Sequence, residues 1–470
     1  MASITTDYLV VGAGASGMAF VDALIDESDA DVVIVDRQDR PGGHWNHAYP
    51  FVRLHQPSAY YGVNSTPLGD DRIDDDGPNA GFYERATADE IRSYYQRVLD
   101  ERLLGSGRVR FVGMSDHFSG AGGQHLVSRL DGHETTVEVR RKVVDATYLE
   151  SEVPSRHTLP FEVEDGARVI PPNQLAEAGA WDGSVGGYTV LGGGKTGMDA
   201  VSWLLDEDVP PELIRWVRPR ECWSYDRALL QPRDMVATVV EGVAIEMEAA
   251  AEAEDVPELF DRLEASGRLL RLDPEVAPTM FRAATISTAE AASLRRVTDV
   301  VRKGRVRSVG RDALVMTGGS VPSRHGEVHV DCTAMGLPRC PPRPIFEPDR
   351  ITVQTVRIGL TPFNAALLGY IEATRGDDAE KNRLCPPNVY PWSATDWIST
   401  TYLSTKAEAL WGEEPDIAEW LERSRLNLAC GLSDHFDEPR MQDAVTRLLT
   451  HREAALAKLP RLAELAGSDG

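Results

Sequence analysis

Two sets of glycines have the spacing that lets a backbone close on a phosphate. Gly12, Gly14 and Gly17 form G-x-G-x-x-G within "YLVVGAGASGMAFVDAL", and Gly192, Gly194 and Gly197 repeat it within "YTVLGGGKTGMDAVSWLL". Such turns let peptide N–H groups approach a pyrophosphate, whose charge is stabilised at the N-terminus of the following helix. The two turns differ in the charge that ends their next strand. The first leads to an apolar run ending at Asp36, a carboxylate able to accept hydrogen bonds from a ribose. The second leads to "LIRWV", ending at Arg218 with Arg220 close behind. A guanidinium there can bind a 2′-phosphate that a carboxylate would repel, so the second site is expected to prefer NADPH to NADH. A surface arginine after an exposed strand end is the alternative. Lys195 and Thr196 lie inside the second turn, with Lys195 pointing either toward a pyrophosphate or into water.

The elements around these turns repeat in order. Residues 8–11 form a continuous apolar run suited to a buried parallel strand, the glycine turn opens a helix, and residues 32–35 form the next strand. Residues 188–191 begin the same series again. The segments 141–155 and 328–341 each read as a strand, then Asp-x-Thr, then a proline-containing crossing. They bracket the second module as an insertion. The expected fold is α/β, with two Rossmann-like dinucleotide-binding domains: residues 1–150 with 330–395, and the inserted 151–329. Residues from about 237 to 310 read as a helical insertion, and 396–470 as a helical C-terminal region. Its amphipathic end, "MQDAVTRLLTHREAALAKLPRLAEL", packs on the core or on a partner subunit, which leaves a homodimer open.

After Asp36 comes "RQDRPGGHWNHAYPFVRLHQPSAYYGVNS". Here the chain resembles the flavin-containing monooxygenases and the wider group of two-dinucleotide flavoproteins, over about residues 1–390. In that family the strand-end acid is followed by a Gly-Gly-x-Trp element that lines FAD, here Gly42, Gly43, His44 and Trp45. The resemblance implies FAD at the first site, with Arg37, Gly43, His44, Trp45 and Arg53 in its neighbourhood, and NADPH at the second. It also sets the helix opening at Thr361-Pro362 against the flavin pyrimidine, making Thr361 and Asn364 contacts. A plain helix cap explains Thr361 as well.

FAD beside NADPH implies hydride transfer from nicotinamide to flavin. Cys222, Cys332, Cys340, Cys385 and Cys430 are scattered, which removes a closely paired redox disulfide, a zinc site and iron–sulfur spacing. The resemblance implies molecular oxygen as acceptor, through a flavin hydroperoxide, in a single-component monooxygenase of a small molecule. In the family an asparagine in a comparable stretch lies beside the reactive flavin atom, and Asn64 matches it. His55 and Gln56 join Asn64 as catalytic candidates, although His55 also reads as a core histidine. The family's F-x-G-x-x-x-H element is absent: "FEVEDGARVIPPNQL" supplies Phe161 and Gly166 without the histidine. This points away from the standard Baeyer–Villiger and flavin-containing subgroups, toward an N-hydroxylating branch or a more divergent relative. The chain is also similar to bacterial nitrosuccinate synthases, which N-oxygenate aspartate, so the amine of a small amino acid is the expected target. Arg282, Arg295, Arg296 and Arg440 are then candidate carboxylate anchors, or else solvated helix faces. An NADPH oxidase or reductase serving oxygen or a quinone, and a non-enzymatic flavin redox sensor, are the other readings.

Composition sets the limits. At 470 residues the chain has room for two or three domains, and an apolar share of 42% is that of a soluble globular protein. A net charge of −25 argues against nucleic acid or an anionic membrane as partner. No metal site, signal peptide or membrane span is expected, since no stretch reaches about 18 uninterrupted apolar residues. Unpaired cysteines suit a reducing cytoplasm.

Overall fold

In the computed structural model, which describes residues 2–120, 122–177 and 183–468, the strand Ala2–Val11 carries the first apolar run through the middle of a sheet. It pairs in parallel with Val32–Val35 on one side and with the long strand Glu134–Asp145 on the other. Val109–Val112 extends the first side. Arg350–Thr352 joins the C-terminal end of Glu134–Asp145 in parallel, while an antiparallel hairpin, Ser115–Gly120 and Gly123–Ser128, covers its N-terminal part. Leu9, Val10 and Ile34 are fully buried, because a parallel sheet is packed on both faces.

The second apolar run builds a separate five-stranded parallel sheet. Its order is Asp299–Val301, Ile214–Val217, Tyr188–Leu191, Val328–Asp331 and Arg168–Ile170. Each glycine turn leaves the C-terminal end of an interior strand, which is where open α/β sheets bind ligands. The fold is therefore α/β with two Rossmann-like modules.

The chain passes between the sheets twice, by the same local device. Thr147 donates its N–H and hydroxyl to Asp145 Oδ1 at 3.0 and 2.7 Å, and Thr333 does so to Asp331 Oδ1 at 3.2 and 2.6 Å. The two crossings then meet, with Glu152 N–H donating to the Gly336 carbonyl at 3.0 Å.

The segment 237–310 is only partly helical, which corrects the sequence expectation. Helices Ala237–Glu252 and Val256–Ala265 are followed by the strand Met280–Ile286, parallel to Cys222–Asp226. Asp299–Val301 and Val306–Val309 are strands too. Phe281 stands edge-on to Tyr225 with centroids 5.1 Å apart, so tertiary pairing overrides the local helix preference of "MFRAAT".

Helices Ala394–Gly412, Pro415–Arg423 and Pro439–Ser468 make up the C-terminal region; residues 469–470, and 178–182 of the expected inserted domain, lie outside the described residues. The last helix packs on Ala237–Glu252 of the same chain, burying Met441 and Ala444 against Ala237 and Val240. Among the described residues no helix is long and apolar enough to cross a membrane.

Candidate active site

A continuous cavity of about 1760 Å³ joins the two glycine turns. Gly12, Gly14, Asp36, Gly43 and Trp45 line one end, and Gly192, Gly194 and Thr196 the other.

The turns are built alike. Gly12 and Gly192 adopt φ of 104° and 126°, and donate N–H to the Val35 and Val217 carbonyls at 2.8 and 3.0 Å. Helices Ala15–Asp26 and Lys195–Asp206 start after Gly14 and Gly194, and neither has a side-chain cap. Their first N–H groups are left for a ligand. A Cβ on Gly43 would stand 3.0 Å from Gly14 Cα, and one on Gly194 would meet nothing within 4 Å. This bare backbone beside uncapped helix ends fits a pyrophosphate at each turn.

Around the first turn, Asp36 accepts from Ala13 N–H at 2.7 Å and Gln38 N–H at 2.8 Å while still lining the cavity. Burial pushes its carboxyl up, and the two amide donors oppose that. Trp45 donates Nε1–H to Tyr61 Oη at 2.6 Å. Burial lowers the His44 pKa to about 4, so His44 is neutral at physiological pH. Arg37 and Arg53 also line this end, Arg37 facing Glu150 at 3.6 Å and Arg53 donating to the Arg85 carbonyl at 3.1 Å.

At the second turn two expectations are corrected. The Arg218 guanidinium is buried, 2.9 Å from Glu221 Oε1 and 4.7 Å above the Trp216 ring, and does not line the cavity. Glu221 sits beyond the strand end and draws the arginine inward. The exposed Arg220 lines the cavity instead, as do Arg305 and Arg307. Lys195 lines the cavity with its charge engaged by carboxylates. Its Nζ pairs with Asp199, one helical turn on, and lies 3.2 Å from Glu290 Oε1.

That pairing belongs to an ionic cluster between the turns. Asp199 Oδ2 accepts from Tyr49 OH at 2.8 Å, and Glu290 Oε2 accepts from Arg227 Nη2 at 2.7 Å, with Arg85 Nη1 at 4.0 Å. Burial favours the neutral Glu290, but Lys195, Arg227 and Arg85 outweigh it and hold the carboxyl well below its usual range. His55 sits beside them. Its Nδ1 accepts from Thr285 N–H at 3.2 Å and its carbonyl from Arg227 Nε–H at 2.9 Å. Burial, then the charges of Lys195 and Arg227, lower its pKa to about 3. His55 and Gln56 line the cavity, yet His55 does so as a neutral imidazole.

Asn64 lies outside the cavity, which corrects its catalytic assignment. Tyr94 Oη fixes Val63 N–H at 2.8 Å, Asp22 fixes Ser65, and Asn64 Oδ1 is left to accept from Ser424 at 2.9 Å. Thr361 lines the cavity as the first residue of helix Thr361–Thr374, whose cap position is Leu360. Asn364 is buried behind it and binds the loop before the helix, accepting from Val356 and Arg357 N–H at 3.0 and 2.8 Å. Arg282 lines the cavity, but its Nη2 is spent on the Met335 and Leu337 carbonyls at 2.7 and 2.9 Å. Arg295 donates to the Leu272 and Arg271 carbonyls, Arg296 is exposed, and Arg440 pairs with Glu241 on the surface; none of the three lines the cavity.

Sequence reasoning missed Tyr49, Asp199 and Glu290. Asp199 carried a signal, since it stands four residues after Lys195 on one helix. Glu290 reads as an ordinary third residue after the Ser287 cap, and nothing local announces its distant partners.

An uncharacterized protein of Mycobacterium tuberculosis, Rv2000, is 44% identical to this chain over 452 residues, covering 96% of this chain and 83% of its own length. This chain belongs to the Rv2000 family. A protein of Mycobacterium bovis, Mb2023, matches the Rv2000-family chain to the same extent. Within it, residues 10–63 match a model described as an NAD(P)-binding Rossmann-like domain. Among solved structures, the Rv2000-family chain is similar to a flavin-containing monooxygenase from Stenotrophomonas maltophilia, 14% identical with a TM-score of 0.47, covering 81% of this chain and 99% of that one. It is also similar to an oxidized steroid monooxygenase bound to NADP, 13% identical with a TM-score of 0.48, covering 78% and 84%.

Proposed function

We propose that the protein is an FAD-dependent, NADPH-consuming monooxygenase of a small molecule. The observation that carries this reading is the cavity shared by both glycine turns. One donor–acceptor pair of nucleotides can meet there without leaving the protein. In the proposed division, residues 1–150 with 330–395 hold FAD, the inserted 151–329 hold NADPH, and 396–470 close the far side of the cavity.

Bound FAD would accept hydride from NADPH and pass the electrons to molecular oxygen. The chain's own part is positional. The N–H groups after Gly14 and Gly194 bind the two pyrophosphates, and Asp36 accepts from the FAD ribose. Arg220, with Arg305 and Arg307 nearby on the cavity wall, supplies positive charge for the 2′-phosphate. Tyr49, Asp199, Lys195 and Glu290 tie the first module to the second-turn helix, which fixes the approach of one nucleotide to the other. The loop ending at Leu360, with Thr361 after it, would hold a helix end toward the bound flavin.

The motif resemblance supports N-hydroxylation of the amine of a small amino acid, aspartate first, and the free cysteines suit a reducing cytoplasm. The test is a screen of amino acids under isotopically labelled oxygen, with NADPH oxidation and labelled product measured together. Label in the product, in proportion to NADPH used, is the expected result. NADPH oxidation that yields only hydrogen peroxide across the screen would mark an oxidase instead.

A further inference from the structure

Arg357 lines the cavity four residues before Thr361 and is 7% exposed, yet its hydrogen bonding is incomplete. Nη1 donates to Asn427 Oδ1 at 2.8 Å and lies 3.4 Å from Glu408 Oε1. Nε and Nη2 are buried without a partner among the described residues. The guanidinium carbon lies 3.8 Å from the centre of the Phe363 ring. Leaving two N–H donors of a buried cation unpaired is costly, so an acceptor that reaches them from the cavity would stabilise the arrangement.

The group is held rigidly for that purpose. Asn364 binds the Arg357 peptide on both sides, accepting its N–H at 2.8 Å and donating to its carbonyl at 3.0 Å. Ile358 N–H donates to Ser404 Oγ at 3.0 Å, which fastens the loop to helix Ala394–Gly412. Thr401 on that helix also lines the cavity, and its hydroxyl is a further buried polar atom without a partner among the described residues. Arg268, by contrast, is saturated by Glu246 at 2.7 Å and the Leu229 carbonyl at 3.2 Å.

We infer that Arg357 anchors a carboxylate of the substrate, through its Nε–H and Nη2–H, in a chamber walled by helix Ala394–Gly412. Two adjacent N–H donors of one guanidinium match the two oxygens of a planar carboxylate. Glu408, 3.4 Å from Arg357 Nη1, opposes a doubly charged phosphate more than a singly charged carboxylate. The inference rests on the proposed monooxygenase reading for what the anchored molecule is for, and it names the chemical class of that molecule.

The test uses calorimetry on the FAD-loaded protein with acetate, succinate and benzoate, each against its amide. At least one carboxylate is expected to bind about tenfold or more tightly than its amide. Arg357→Met is expected to abolish that preference with FAD still bound, whereas Arg440→Met keeps it. No preference in the wild type, a preference that survives Arg357→Met, or loss of FAD from that variant would each overturn the anchor, the last by making Arg357 a cofactor ligand. If Arg357→Met does not fold, Arg357→Lys decides: severalfold loss of the preference supports the anchor and an unchanged preference overturns it. Anaerobic reduction of the wild-type flavin by NADPH is scored separately. Reduction without any carboxylate preference refutes the anchor alone, and failure of reduction refutes the monooxygenase reading.

Discussion

Lys195, the first residue of the second-turn helix, lies 3.2 Å from Glu290, the third residue of helix Thr288–Leu294. Through Arg227 and Arg85, the same glutamate reaches two segments of the first module, the loop that carries His55 and the stretch at Arg85. One buried carboxylate therefore balances cations from three separate parts of the chain. Glu290→Gln leaves Arg227, which is fully buried, without its counter-charge. A loss of about 3 kcal/mol is expected, read by denaturant unfolding of the wild type and variant.

Acid should weaken the fold through the same cluster. Glu290 is held ionised below its ordinary value of 4.5, so its contribution is complete above that pH and is lost as pH falls toward the depressed native value. His55 acts in the same direction: below pH 6.5 the unfolded chain takes up a proton that the native imidazole refuses until about pH 3. Stability measured across this range is expected to fall steadily with acid, and His55→Gln is expected to flatten the upper part of that slope. An unchanged slope would show that His55 titrates normally in the native state.

Arg220→Ala is expected to raise the Michaelis constant for NADPH by about tenfold while moving that for NADH little, since only NADPH offers a 2′-phosphate. Arg218→Ala is expected to act on stability, because it removes one of the two arginines that hold the buried Glu221, leaving only Arg302 on that carboxylate. Equal effects of Arg220→Ala on the two nucleotides would remove its phosphate role.

Gly14→Val is expected to give a folded, flavin-free protein. Gly14 has an ordinary extended φ of −76°, and its Cβ would meet only Gly43 Cα at 3.6 Å, so the damage falls on the ligand's space. Gly17→Val is expected to fail at folding, because its Cβ would overlap the Gly12 carbonyl oxygen inside the strand–helix contact. Absorbance of the purified proteins separates the two outcomes.

Asn64→Ala is expected to leave the ratio of product to NADPH consumed unchanged, since its side chain faces Ser424 away from the cavity. Uncoupled NADPH oxidation in this variant would return Asn64 to the active site.

Both nucleotide turns were legible because their signals are local: apolar runs, glycines and strand-end charges lie within a few dozen residues of each other. The parallel strands at residues 8–11, 32–35 and 188–191 came from the same runs. Side-chain direction was not legible. Arg218 occupies the expected strand end, but Glu221 three residues later turns it inward, and the exposed Arg220 reaches the cavity in its place. Asn64 shares a segment with His55 and Gln56, yet hydrogen bonds on either side rotate it outward. The strand Met280–Ile286 was hidden because its partner, Cys222–Asp226, lies far back in the chain. Arg357 gave no sign at all: its importance lies in bonds it does not make, which only packing reveals.

The proposal that NADPH meets FAD in the shared cavity is the central claim of the functional reading. The most direct measurement is anaerobic mixing of the FAD-loaded protein with NADPH while the flavin absorbance is followed. The prediction is complete bleaching by one equivalent of NADPH, faster than with NADH. Flavin that stays oxidised in the presence of bound NADPH would contradict it.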